Sequence, residues 1–202
     1  IKVDLVQLSG IVINEVYYSG GLDCRGYYSD QFIELFNNSD SVQYLDGLIV
    51  CRLDGTNQYP ENHVIAIRYY QFPGTGNDYP IEPHSFVVIA QDAYDHTQEC
   101  SNSIDLSNAD WEFYNQKGND IDNPNVPDLI NLADVSLSDD FRIGLKGDEI
   151  CILKVDNFEE VPDYISNGFT YKLFSSLDVF DAVEYSTDPN HLKSLNHLLD
   201  MG

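Results

Sequence analysis

Basic side chains are what this sequence lacks most. Its 202 residues hold 10 Lys and Arg against 34 Asp and Glu, a formal net charge of -24. Phosphate contacts need a basic face, so a nucleic-acid binder is excluded, and electrostatic docking on anionic membrane is disfavoured with it. Met and Trp occur once each, against 14 Tyr and 10 Phe. That balance suits pleated sheets rather than helical bundles. No run approaches the roughly 18 apolar residues that a spanning helix needs. Of the four cysteines, none forms a C-x-x-C pair, which disfavours the common zinc sites. There is no G-x-S-x-G elbow, and Gly74-Thr-Gly76 lacks the Gly-Lys-Ser/Thr of a phosphate loop. His63, His84, His96, His191 and His197 show no metal-ligand spacing.

What is present is a β pattern. Ile11-Val-Ile-Asn-Glu-Val-Tyr-Tyr18 is apolar on both alternating faces, which predicts a strand in the middle of a layered structure. Residues 31–36 follow as a second strand, then the turn residues 37–40. Residues 42–53 read as one or two strands bent at Asp46-Gly47, and 64–72 and 85–91 as further strands, the last one central. Residues 92–99 read as one or two helical turns capped by Asp92. Residues 141–145 and 149–155 read as a hairpin about Lys146-Gly-Asp148. Two more apolar runs, 169–174 and 177–185, precede Thr187-Asp-Pro189, which opens a helix through Leu199. Many short strands and almost no long helix predict a β-sandwich or barrel. The chain begins at Ile1 without a signal-like segment and reads as a mature fragment.

Six short motifs, in order, carry a resemblance. They are Ile11-Val-Ile-Asn-Glu-Val, Phe32-Ile-Glu-Leu-Phe-Asn-Asn, Tyr44-Leu-Asp-Gly-Leu, Ile81-Glu-Pro-His-Ser-Phe-Val-Val-Ile-Ala, Gly147-Asp-Glu-Ile-Cys-Ile-Leu and Val179-Phe-Asp-Ala-Val-Glu-Tyr. Together they resemble a lamin-tail domain over residues 11–185. The resemblance implies an all-β, immunoglobulin-like β-sandwich with short helices; by their own pattern residues 1–10 read as a leading strand or linker before it and 186–202 as a C-terminal helical segment. Two long inserted loops, 54–80 and 100–140, exceed the lamin-tail pattern. With Asp105-Leu-Ser-Asn-Ala-Asp-Trp-Glu112 and Asp120-Ile-Asp-Asn-Pro-Asn-Val-Pro127, the whole is similar to an uncharacterised family of Bacteroides secreted or surface proteins. That implies export, as a lipoprotein in a longer chain, and supplies no catalytic residues to carry over.

The candidate residues each have two readings. Glu15 and Glu34 would face one another if their strands pair, the equipment of a glycoside hydrolase; the structural reading is a pair of architectural hydrogen-bond acceptors. Asp120, Asp122 and Asn123 alternate oxygen side chains as a calcium loop does, without the EF-hand glycine; the alternative is an Asx turn. Trp111, Tyr114 and Tyr79 lie in or beside the insertions and would grip a protein or glycan if exposed, or lid the core if not. Cys51 and Cys151 sit in strand-like runs and read as buried apolar residues. Cys24 and Cys100 sit in loops and could pair, one of three pairings that four cysteines allow. The expectation is a non-catalytic, extracellular or cell-surface interaction module that binds protein or glycan through loops on a rigid sandwich. The alternatives are a glycan-binding nutrient-capture module and a hydrolase using Glu15 and Glu34. Calcium is the ion such loops would take.

Overall fold

The computed structural model describes residues 10–20, 27–55, 60, 62–115, 122–133, 141–191, 194–195 and 199. Its strands in chain order are β1 (Ile11–Tyr17), β2 (Phe32–Asn37), β3 (Gln43–Tyr44), β4 (Ile49–Leu53), β5 (His63–Gln71), β6 (Pro80–Ile81), β7 (Phe86–Ala90), β8 (Trp111–Glu112), β9 (Ile130–Asn131), β10 (Gly147–Leu153), β11 (Asp163–Ser166), β12 (Phe169–Ser175) and β13 (Val179–Ser186). The only helical elements among the described residues are three short 3-10 turns. A four-stranded sheet runs β1-β2-β7-β8; a seven-stranded sheet runs β11-β12-β5-β4-β10-β13, with β9 also on β5. The all-β sandwich class expected from the alternation is what forms.

The main core lies between the two sheets. Ile33, Leu35, Val87 and Ile89 come from the four-stranded sheet, and Val50, Tyr70, Ile150 and Ile152 from the seven-stranded one. The odd-numbered residues of β4 and β10 point the other way. Ile49, Cys51, Leu53, Cys151 and Leu153 form a second core with Phe174, Ala182 and Leu195. The seven-stranded sheet is therefore buried on both faces at β4 and β10, which is why residues 49–51 and 150–153 are continuous apolar runs. Full burial contributes about 1.5–3 kcal/mol per large aliphatic side chain, so these two strands, not β1, are the thermodynamic centre.

β1 is an edge strand of its sheet, a correction to the central place its apolar faces suggested. The reason is a bulge. Ile13 pairs with Leu35 and Glu15 with Glu34, so Asn14 is an inserted residue. An extra residue reverses the inward phase. Ile11 and Ile13 before it, and Val16 and Tyr18 after it, all reach the main core. Across the open edge, Asp181 of β13 accepts from the Ile13 amide at 2.8 Å.

Other expectations change in the same way. Residues 141–145 are not a strand. Phe141 stacks on Phe113 with ring centroids 4.0 Å apart, and the buried side chain of Gln31 stands in for a partner strand. Its amide donates to Ile143 O at 2.9 Å and accepts from Ile143 N at 2.8 Å. The hairpin that does form is β11–β12, turned by Asn167 and Gly168, both at positive φ, the two-residue type that Asn-Gly favours. The first supposed insertion, 54–80, contains β5, a strand paired with β4 and β12. The described residues of the C-terminal segment are not helical; Leu195 plugs the second core instead.

Candidate functional site

The described residues of the second insertion, 100–115 and 122–133, pack as an ordered excursion. After β7 the chain turns through a 3-10 turn, His96–Gln98, capped by Asp95 rather than the expected Asp92; its carboxylate accepts from Thr97 N at 3.2 Å. Ala93, Leu106 and Val126 close over Ala90, Phe32 and Val88 on the outer face of the four-stranded sheet. A cleft of about 750 Å³ opens above this small core. Its rings are Tyr27 and Tyr94; its polar groups include Asp92, Gln98, Glu99 and Asn123. Tyr94 is exposed and Tyr27 half-buried.

One wall is held by a relay. His96 is fully buried. Its Nε2 lies 2.8 Å from Asp92 O, a carbonyl that can only accept, so Nε2 carries a proton. In the neutral ring Nδ1 is then an acceptor, and Tyr27 Oη donates to it across 2.6 Å. Burial pushes the Tyr27 phenol up to about 12, with Asp92, Asp30 and Glu99 adding to it, so the donor keeps its proton at neutral pH.

The floor of the excursion carries three carboxylates. Oxygen atoms of Glu112, Asp122 and Asp128 lie within 4.8 Å of one another. Glu112 is fully buried at the end of β8 and ties two segments together, accepting from Ala93 N at 3.0 Å and Asn123 N at 3.3 Å. Asp128 Oδ1 is sealed from solvent without a hydrogen-bond partner. Burial pushes the Asp128 carboxyl up, and Asp122 pushes it further. Three hard oxygen donors converging suit calcium better than a transition metal.

The expected site residues divide accordingly. Asp122 joins the carboxylate group. Asn123 does not; its side-chain oxygen accepts from Asn125 N at 3.1 Å in an Asx turn, and its amide donates to Ala93 O and Ser107 O at 2.8 and 3.2 Å. Asp120 lies outside the described residues. Glu112 and Asp128 carry no sequence signal, because they sit 16 residues apart and meet only through the parallel bridge between them. Of its two readings, Trp111 takes the one of a core lid. It is 5% exposed and wedged edge-on between Phe72 and Tyr79, with centroids 5.0 and 4.9 Å away. Tyr79 is half-buried by that contact, and Tyr114 is half-buried too.

Glu15 and Glu34 are cross-strand neighbours, as expected. Glu15 is exposed rather than enclosed, and Glu34 accepts from Asn14 Nδ2 at 2.7 Å. Neither lines the Tyr27–Tyr94 cleft, nor the clefts beside Arg52 and Lys154. The enclosed carboxylate pair is Glu149 and Glu184, directly opposed on β10 and β13 and 2% and 4% exposed. Glu184 accepts from His191 at 2.5 Å and from the Ser194 and Leu195 amides at 2.9 Å, and Ser194 Oγ donates to Glu149. This pair fastens the C-terminal segment to the sheet. Among the described residues no helix is long and apolar enough to cross a membrane.

Fold and site together define an all-β sandwich with a loop-built cleft on one outer face. Residues 82–173 match a family model described as a protein of unknown function, DUF4876. A crystal structure of a DUF4876 family protein from Bacteroides thetaiotaomicron VPI-5482 superposes with a TM-score of 0.80 at 24% identity, over 96% of this chain and 58% of that one. At that identity the likeness shows the fold, and the chain spans little more than half of that relative's length. A search of curated proteins finds no match.

Proposed function

We propose that this chain is a non-catalytic, extracellular interaction module that binds a neutral glycan in the cleft walled by Tyr27 and Tyr94. The observation that carries it is the cleft itself. Its volume of about 750 Å³ falls within the roughly 300–1,000 Å³ of small-ligand sites, which favours a sugar chain over a flat protein surface. Its lining joins aromatic faces to carboxamide and carboxylate groups, Gln98, Asn123, Asp92 and Glu99. Rings cover the apolar faces of a sugar, and planar polar groups take its hydroxyls. The acidic lining and the net charge of -24 repel anionic ligands.

Calcium at Glu112, Asp122 and Asp128 belongs to the same proposal, as an ion that braces the cleft. So do export and the lamin-tail kinship. Cys100 is disulfide-bonded, which suits an oxidising compartment, and the two-layer all-β sandwich supports the kinship.

The test is a glycan array followed by titration calorimetry with the best neutral ligand. Tyr94→Ala should weaken binding about tenfold, as loss of one stacking ring worth about 1.4 kcal/mol requires. Unchanged affinity in Tyr94→Ala, or no binding to any neutral glycan, overturns the reading.

A further inference from the structure

Cys51 in β4 and Cys151 in β10 are direct Cα partners in an antiparallel pair. Both are free, and both are 0% exposed. They point to the same face of the sheet, into the second core beside Leu53, Leu153 and Phe174. Directly opposed residues of such a pair have Cα atoms about 4.5–5.5 Å apart. A disulfide needs about 4.4–6.8 Å. Beyond the effect of burial, Cys151 stands close enough to Cys51 to push its thiol up.

Two small side chains stand opposite each other here, where the other apolar core residues of both strands are Ile, Val and Leu. The fold also accepts oxidation elsewhere, since Cys100 is in disulfide form. Burial, then the neighbouring Cys151, pushes the Cys51 thiol well above its ordinary value. Once the second core has closed, then, the pair is sealed from solvent and from thiolate chemistry. Any cross-linking belongs to the folding chain.

We propose that Cys51 and Cys151 are a modification site, joined by a cross-strand disulfide between β4 and β10 while the chain folds in the presence of a disulfide-bearing oxidant. One cysteine, as thiolate, attacks a sulfur of the oxidant's disulfide; a mixed disulfide forms and one oxidant thiol leaves. The second cysteine loses its proton and attacks the protein-side sulfur of that mixed disulfide. The Cys51–Cys151 bond forms and the second oxidant thiol leaves. The cysteines lose two electrons and two protons, and the oxidant's two sulfurs gain them. This proposal is independent of the cleft and of any glycan.

The experiment refolds the full chain in a glutathione redox buffer and, in parallel, under reductant. Each sample is then denatured, alkylated, digested and weighed. After oxidative refolding, the peptides that contain Cys51 and Cys151 should appear joined, two hydrogens lighter than their sum, and neither cysteine should take the alkylating reagent. Full alkylation of Cys51 and Cys151 after oxidative refolding, or pairing of either with another cysteine, overturns the proposal. The readout on the natural sequence needs no variant to fold.

Discussion

Tyr27 Oη donates to Nδ1 of His96 over 2.6 Å, while His96 Nε2 donates to Asp92 O. Two loop segments far apart in sequence are thereby fixed as one wall of the cleft. Tyr27→Phe would keep the ring and strand a buried imidazole acceptor, at a cost of about 1–3 kcal/mol. Denaturant unfolding checks this, and a change below about 0.5 kcal/mol would remove the relay from the account. The phenol's raised value has a second consequence. Its stability contribution is complete below the usual tyrosine range and is lost as pH rises through about 12. A spectrophotometric titration of the wild type should contain a late tyrosinate step that Tyr27→Phe lacks.

Asp128 should behave as a strained acid. Its folded-state value is raised, so its favourable contribution is complete below the ordinary carboxylate range and is lost as pH rises through the folded value. Asp128→Asn should therefore gain in Tm over the wild type between about pH 4 and 7, with no gain in more acidic buffer. If calcium supplies the missing charge, about 5 mM, above the millimolar affinities of extracellular calcium modules, should raise the wild-type Tm at pH 7 and leave Asp128→Asn unmoved. A wild-type Tm indifferent to both calcium and chelator would eliminate the ion.

Glu184 is the clasp of the C-terminal segment. Glu184→Ala would orphan the Ser194 and Leu195 amides and the His191 contact. A loss of about 3 kcal/mol is expected, with faster proteolysis confined to residues after 186. Cleavage at the wild-type rate would mean that Leu195, packed in the second core, holds the segment unaided.

Deleting Asn14 should be far worse than changing it. Asn14→Ala keeps the bulge and gives up one exposed hydrogen bond to Glu34, which costs under about 1 kcal/mol. The deletion turns Val16 and Tyr18 outward or slips β1 against β2. Circular dichroism and melting should show the deletion unfolded or more than about 3 kcal/mol destabilised; a stable deletion variant would mean that β1 tolerates either register.

Much of the fold was legible because strand periodicity is local. The runs that became β2, β5, β7 and β12, and the bend at Asp46-Gly47, are written in alternation and in turn residues. The misreadings have physical causes. Around Ile143, Gln31 supplied the hydrogen bonds of a neighbouring strand, so an apolar pattern formed no strand of its own. In β1 a single inserted residue made a one-sided edge strand look two-sided. At the site, Asp122 was visible through its spacing from Asp120, whereas Glu112 and Asp128 were not. Trp111 stayed open between two readings because an aromatic in an insertion reads alike whether it faces solvent or Phe72.

By itself the sequence determined the all-β class and the excess of acidic over basic side chains, since these follow from composition and from neighbours along the chain. Only the tertiary structure decided the rest. Pairing and the β1 bulge set which face each side chain takes. The packing of Ala93, Leu106 and Val126 on the outer face of the four-stranded sheet brought Tyr27 to His96 and Glu112 to Asp128. The β4–β10 register laid Cys51 against Cys151. Each of these meetings joins residues far apart in sequence, and their proximity exists only once two strands have chosen their partner.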